Sequence, residues 1–485
     1  MDTISFFKVS FLASGKQVTI IVFVICISIR VIPELAAYPH PIGYDVVNYY
    51  IPKVASFQEN WSTISKQFPL YLTFLYSLST ATGLSPHAVV TSVAVAMAGV
   101  FGLGLFYTGR TMLNLPINQS LFLATFTVLQ MSVLRTFWDL HRDVMALAGM
   151  LFIFCLLGRN DTGWKVLSIT LALTAITVAA DRMIGALVCI SLAAHLIITR
   201  RKDVALVAIL AISLFSILMI SSHPLAYPNA ETITAETSEI NTLEFYNQEN
   251  LLVFFLVVNC LVAAPATIGC FYMQNKLLKI PLVVSLAGSF SWLVFPENNL
   301  LAADRWIVLA GIFFSIFAGY GCLRLVNKFK SNLSAIVACS IIAAFAVIGL
   351  AYALMPYDRP FILYGAVQNY ITYFAPVTMQ FNSLDVQDNI NLLLAIAHIN
   401  ENTEHNAIIV GEPQWRGFME LYLGDDRIYH FSNEPLALAT LLEQQGHQVY
   451  LIEAEGNQET SFRIESFQKD IDLEAITHTG VTYVR

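Results

Sequence analysis

About eleven apolar runs, each close to the length a bilayer requires, leave this chain essentially one class of fold. They lie near residues 17–36, 86–109, 118–134, 140–158, 164–180, 183–199, 204–222, 250–272, 280–295, 306–323 and 334–355, bounded by charges or turn residues. A 485-residue chain that is 56% hydrophobic and only 12% charged carries more apolar surface than a soluble globule of that length can hide, so lipid must solvate the excess. The run near Val18–Ile29 has no small-residue cleavage site after it and reads as a retained first span rather than a signal peptide. All seven cysteines (Cys26, Cys155, Cys189, Cys260, Cys270, Cys322, Cys339) fall inside apolar segments, which argues against disulfides and zinc clusters.

With the N-terminus inside, every inner connection receives basic residues: Lys8 and Lys16, Arg110, Arg159 and Lys165, Arg200–Lys202, Lys276 and Lys279, then Arg324, Lys328 and Lys330. An odd number of spans then places everything after Tyr357 outside. The domain plan is a membrane domain over 1–360 with an outer loop at 38–68, a linker over 361–387 lying in the outer interface, and an extracytoplasmic domain over 388–485. In that last domain helical and short apolar strand-like segments alternate: helices at Asp388–Asn400, Trp415–Leu423 and Glu434–Gln445, strands at Asn406–Val410, Arg427–Phe431 and Gln448–Ile452. The pattern predicts a small α/β domain. Val410-Gly411-Glu412-Pro413 lacks the further glycines of a phosphate loop, which disfavours nucleotide binding. The net charge of −8 sits mainly in outer segments and in the tail, and nucleic acid is excluded as a partner.

Charges gather where spans meet the outer face. Asp45 lies in Gly43-Tyr44-Asp45-Val46-Val47-Asn48-Tyr49-Tyr50, in a loop that also carries Lys53 and Trp61. A carboxylate among aromatics near lipid suits a general base acting on a hydroxyl; the alternative is an acid that caps a short helix. In Arg135-Thr136-Phe137-Trp138-Asp139-Leu140-His141-Arg142-Asp143, the spacing puts Arg135, Asp139 and Arg142 on one helical face at the start of a span, a seat for phosphate or pyrophosphate. Its alternative is an internal ion pair that pins the helix. Ala179-Ala180-Asp181-Arg182-Met183 joins two spans with no loop, and arms of about 17 residues at 1.5 Å each reach only about 25 Å, so that tip should sit below the lipid surface. Arg305 in Asp304-Arg305-Trp306 and Arg359 in Pro356-Tyr357-Asp358-Arg359-Pro360 complete the outer arginines. His40 and His141 have no partner at metal-ligand spacing, and no metal site is assigned.

At these residues the chain resembles the glycosyltransferase C superfamily, multi-span enzymes that take sugar from a polyprenyl-phosphate carrier on the outer or lumenal side. Asp45 followed by Tyr49 and Tyr50 resembles the acidic motif of that superfamily, and Pro69-Leu70-Tyr71 followed by Gly83-Leu84-Ser85 resembles its next stretch. Trp138–Asp143, Arg305-Trp306 and the passage Pro376–Asn382 are similar to uncharacterised prokaryotic, especially archaeal, members. Metal-dependent members carry an Asp-x-Asp acid pair and a Trp-Trp-Asp-like motif; this chain has neither, and Trp415-Arg416-Gly417 is not that motif. The resemblance therefore points to the metal-independent, monosaccharide-transferring branch, with no cofactor, although a divalent metal stays open.

On that resemblance Asp45 deprotonates the acceptor, Arg142, Arg305, Arg182 and Arg359 hold the departing phosphate, and Asp139 and Asp143 orient them or bind sugar hydroxyls. Tyr49, Tyr50 and Trp138 pack against the sugar or the prenyl chain, and His141 is a supporting residue of the site. The implied partners are a polyprenyl-phosphate sugar, a glycan, lipid or protein acceptor, and membrane lipid. Two rivals remain from the residues alone: a transporter or flippase for a lipid-linked substrate, and a non-catalytic envelope assembly protein.

Overall fold

The computed structural model describes residues 15–38, 41, 43, 45–59, 61–65, 68–159, 163–222, 248–294, 303–329, 331–354, 386–412, 415–423, 427–432, 434–455, 461–466 and 483–484. They fall into two units. The first holds the described residues up to Pro33 and from Gln58 to Leu354, the second those of Glu34–Phe57 and Val377–Arg485.

The first unit is helical throughout its regular structure. Most apolar runs contain one helix; the third holds a pair, Ile117–Val128 and Met131–Trp138, which meet at 65°, and in the ninth the helix Lys276–Ser289 gives way to a 3-10 turn at Ser291–Leu293. Among the described residues, Gly15–Leu35, Pro86–Met112, Arg182–Thr199, Lys202–Ser221, Arg305–Val326 and Leu333–Leu350 are six helices long and apolar enough to cross a membrane, and the bent pair makes up to seven. A unit of this composition is that of a helical membrane protein. The helix at Arg305–Val326 is its centre, with 89% of its apolar window buried, whereas only 22% is buried in Lys202–Ser221, whose Ile209, Ile217 and Ile220 are exposed for lipid.

Close helix contacts in this unit rest on glycine, as expected where lipid provides no hydrophobic drive between helices. A Cβ at Gly321 would overlap the Pro265 carbonyl, and one at Gly269 the Phe317 carbonyl, so Ala303–Val326 and Gln248–Tyr272 approach backbone to backbone. Gly321→Leu is expected to destabilise the protein by about 1–3 kcal/mol through overpacking, and thermal unfolding in detergent measures it; an unchanged melting temperature would refute the contact. Arg201 ties the helix His141–Leu157 down at its far end: its guanidinium donates to the Leu157 carbonyl at 2.9 Å and the Arg159 carbonyl at 3.2 Å while pairing with Asp203. That satisfies carbonyls a helix C-terminus leaves open.

The second unit carries a sheet of order β2-β1-β3-β4-β5, with β1 (Ile408–Gly411), β2 (Ile428–Phe431), β3 (Val449–Glu455), β4 (Ser461–Ser466) and β5 (Tyr483–Val484). β1 lies parallel between β2 and β3, with Ile408 opposite both Ile428 and Val449, while β4 runs antiparallel to β3. Alternate side chains serve opposite faces. Ile409, Tyr450 and Ile452 pack with Leu392, Ile396, Phe418 and Met419, and Ile408, Val410, Val449 and Leu451 pack with Ala439. The helices Val386–Asn402 and Arg416–Tyr422 thus cover one face and Pro435–Gln444 the other. Buried Arg427 donates to the carbonyls of Ile399 (3.2 Å), Asn400 (3.1 Å) and Thr403 (3.0 Å), closing the end of Val386–Asn402.

The three alternating strands anticipated from the sequence are present, and β4 and β5 are additional. The outer loop is not structureless. Asp45 opens a helix whose first turn is π-helical, Val46–Tyr50, continuing as Ile51–Ala55. Pro52 has no N–H to give to the carbonyl of Asn48, and the Ile51 N–H instead reaches back five residues to Val46, which accounts for the wide turn. Of the linker read as interfacial, residues 361–385 lie outside the described residues.

Candidate functional site

Ionised groups inside an apolar helical bundle are costly, so a cluster of them marks the place to seek chemistry. In the first unit such a cluster forms where two helical paths are interrupted beside a third helix that carries a buried arginine. The helix Met131–Asp139 stops at Leu140, and a new helix starts at His141. This corrects the single-face arrangement of Arg135, Asp139 and Arg142: a break at Leu140, with φ −90° and ψ 56°, puts Arg142 on a different helix from the other two. The second interruption is Asp181, extended at φ −144° and ψ 139° between Trp164–Ala180 and Arg182–Thr199. The first helix, Gly15–Ala37, contributes Arg30, which is 2% exposed.

Hydrogen bonds knit these breaks together. Arg30 Nε donates to the Phe137 carbonyl at 3.0 Å, in the last turn before the break. His141 Nε2 lies 3.2 Å from the Trp138 carbonyl; a carbonyl only accepts, so this nitrogen carries the proton. Asp181 Oδ1 caps its own helix, accepting from the Met183 N–H at 2.7 Å and the Ile184 N–H at 2.9 Å. The Asp181 carboxyl also hydrogen-bonds that of Asp143, and both residues are buried. Carboxylates only accept, so that bond needs a proton on one of the pair. Glycines allow the approach: a Cβ at Gly149 would overlap the Thr177 hydroxyl, and one at Gly185 would lie 3.2 Å from the Val178 carbonyl.

Around this pair stand the arginines. Arg305 and Arg142 both lie within electrostatic reach of Asp143, and Arg30 and Arg142 within reach of the fully buried Tyr71 hydroxyl. Arg30 also acts on His141. Three guanidinium groups (Arg30, Arg142, Arg305) therefore gather around Tyr71 and Asp143, a concentration of cations suited to an anion. Arg142 is half-buried and Arg305 is exposed, so the cluster runs from the interior to an accessible edge.

Of the residues singled out from sequence, the first unit brings together Arg142, Asp143, His141, Arg305 and the backbone of Trp138. Arg182 is exposed, one residue beyond Asp181. Asp139 ends its helix, with its side chain outside the described set, and Arg359 and His40 lie outside the described residues. Asp45, Tyr49 and Tyr50 belong to the second unit. There Asp45 is half-buried and makes no N-cap hydrogen bond, against the helix-capping alternative, and the rings of Tyr49 and buried Tyr50 meet edge to face at 5.3 Å. Arg30, Tyr71 and Asp181 were given no role by sequence reasoning. Arg30 carried a usable signal, a cation within an apolar run with no loop to hold it. No protein-family model matches this chain, and no curated protein matches it either.

Proposed function

We propose that this chain is a membrane glycosyltransferase that moves a sugar from a polyprenyl-phosphate carrier to an acceptor on the outer face by a single inverting displacement. In this reading it crosses the cell membrane about eleven times, with its N-terminus cytoplasmic and its α/β unit outside. The observation that carries the proposal is the gathering of Arg30, Arg142 and Arg305 around Tyr71 and Asp143 inside an apolar helical unit. A departing polyprenyl phosphate gains charge on its oxygens as the anomeric C–O bond breaks, and guanidinium groups fixed in advance stabilise that charge most where water is scarce. Arg142 and Arg305 hold the phosphate and Arg30 joins them, while Asp143 keeps the guanidiniums oriented; Arg182 and Arg359 are further phosphate contacts. Asp45 takes the acceptor's hydroxyl proton, the freed oxygen bonds to the anomeric carbon, and the carrier leaves as its phosphate. Tyr49, Tyr50 and Trp138 pack against the sugar or the prenyl chain.

The direct test is incubation of purified protein with a panel of polyprenyl-phosphate sugars and assay of released carrier phosphate; consumption of none would sink the proposal. Arg142→Ala is expected to raise the donor KM by roughly 10- to 100-fold, the equivalent of one lost charge-assisted hydrogen bond of about 1.5–3 kcal/mol. An unaltered donor KM would remove Arg142 from phosphate binding. A second reading, a proton-coupled transporter of a lipid-linked substrate, is favoured by the buried carboxyl pair, since such pairs serve as proton relays in membranes. It predicts flux of intact donor across vesicle membranes with no release of carrier phosphate.

A further inference from the structure

The segment that carries Asp45 is seated on the C-terminal α/β fold by one close backbone approach. Asn48 Oδ1 accepts a hydrogen bond from the Gly417 N–H at 2.5 Å, across 369 positions of sequence. Gly417 is the second residue of the helix Arg416–Tyr422, whose N-cap is Trp415, a side chain that cannot accept a hydrogen bond and makes no cap. The helix thus takes from the first outer loop the acceptor that its own sequence lacks. A Cβ at Gly417 would overlap the Asn48 Cα and the Val47 carbonyl oxygen. The backbone of Gly417 is not left-handed, since the glycines with positive φ are Gly43, Gly83 and Gly446 among the described residues. Closeness, and not conformation, is what a side chain here would disturb. Val47 is fully buried in the same apolar cluster as Trp415, Phe418 and Met419.

The seat lies where β1 ends and its helix begins, the end of parallel strands at which α/β folds ordinarily take up ligands. Here the chain's own loop helix docks there. Asn48 is also half-satisfied: its Nδ2 is buried without a hydrogen-bond partner among the described residues, which is unfavourable and is not what a purely stabilising contact would retain. Asp45 lies three residues before Asn48 on the same short helix.

We infer that the α/β unit is the positioning domain of the Asp45 helix, with Asn48 and Gly417 as its positioning residues. The inference rests on the glycosyltransferase reading for what Asp45 does, but the seat itself can be tested without any donor. In full-length protein, Gly417→Ala forces the two backbones apart, and the amides of Val46–Ile51 are expected to exchange with deuterium about tenfold faster or more. Asn48→Ala is expected to act in the same direction. Asn48→Asp keeps an acceptor oxygen and removes the unpaired donor, so exchange should stay at the wild-type rate. Unchanged exchange in Gly417→Ala would overturn the seat.

With a donor in hand, Asn48→Ala should lower kcat about tenfold or more with donor KM unchanged, and Asn48→Asp should restore it, because misplacing a base costs rate and not phosphate binding. A kcat that follows the wild type in Asn48→Ala, despite faster exchange, would overturn the positioning role. Failure of the wild type to consume any donor defeats the glycosyltransferase reading and, with it, the link to Asp45 chemistry; the exchange result still decides the seat.

Discussion

Asp45→Asn is expected to reduce kcat for sugar transfer by about 10²–10⁴-fold, the usual contribution of a positioned general base, while the protein folds and binds donor as before. Asparagine has the shape of aspartate but cannot take the acceptor's proton. The structure makes this substitution cleaner than the sequence alone implied. Asp45 makes no N-cap hydrogen bond to its helix, so losing the carboxylate removes no cap. A drop in kcat with an unchanged melting temperature therefore reports chemistry rather than unfolding of Val46–Tyr50. The measurement is steady-state transfer at saturating donor, beside a thermal melt of the same preparation. Wild-type turnover in Asp45→Asn would strip it of the base role, and a lowered melting temperature would mean that the carboxylate is structural.

Much of the helical unit was legible because lipid imposes a single rule: an apolar run of sufficient length becomes a helix whose backbone satisfies itself. The runs at 86–109 and 204–222 return as Pro86–Tyr107 and Lys202–Ser221. Breaks were harder to see. Leu129-Gln130 and Leu140 contain no proline or glycine, and nothing local announces that the path bends at one and restarts at the other. Missing the second break put Arg135 and Arg142 on one face, since helical spacing is informative only while the helix continues. In the α/β unit, β1 and β3 were readable as short apolar runs, whereas β4, Ser461–Ser466, alternates polar and apolar residues and lies at the edge of the region that sequence patterning resolved. The site was legible as a set of residue types and not as partners. Arg142, Asp143 and Arg305 were singled out by residue type, but the bond from Asp143 to Asp181 and the reach of Arg30 to Tyr71 join residues far apart in sequence. Asn48 with Gly417 is the extreme case, for its only local trace is a glycine inside a short helix.

Asp181 offers the sharpest stability contrast in the molecule, because two replacements of similar size change different things. Asp181→Ala removes the acceptor for the Met183 and Ile184 amides, a cap worth about 0.5–2 kcal/mol, and strands the buried Asp143 carboxyl without its partner, at about 1–3 kcal/mol. The combined loss of roughly 2–5 kcal/mol is a large share of the 5–15 kcal/mol by which domains are ordinarily stable. Asp181→Asn loses neither contact. Its amide oxygen can accept from the same two backbone amides, and its NH₂ donates to Asp143, taking over the place of the proton that a carboxyl pair must share. Thermal unfolding of the full chain in lipid nanodiscs should therefore show Asn close to wild type and Ala several degrees lower. Equal destabilisation by both would mean that the carboxyl pair is not joined as described. The same pair of variants separates the two functional readings. Transfer chemistry that uses Asp143 only to orient Arg142 and Arg305 survives Asp181→Asn, because the charge facing the arginines is kept. A transporter that moves its proton through the pair does not, because an amide cannot pass one on.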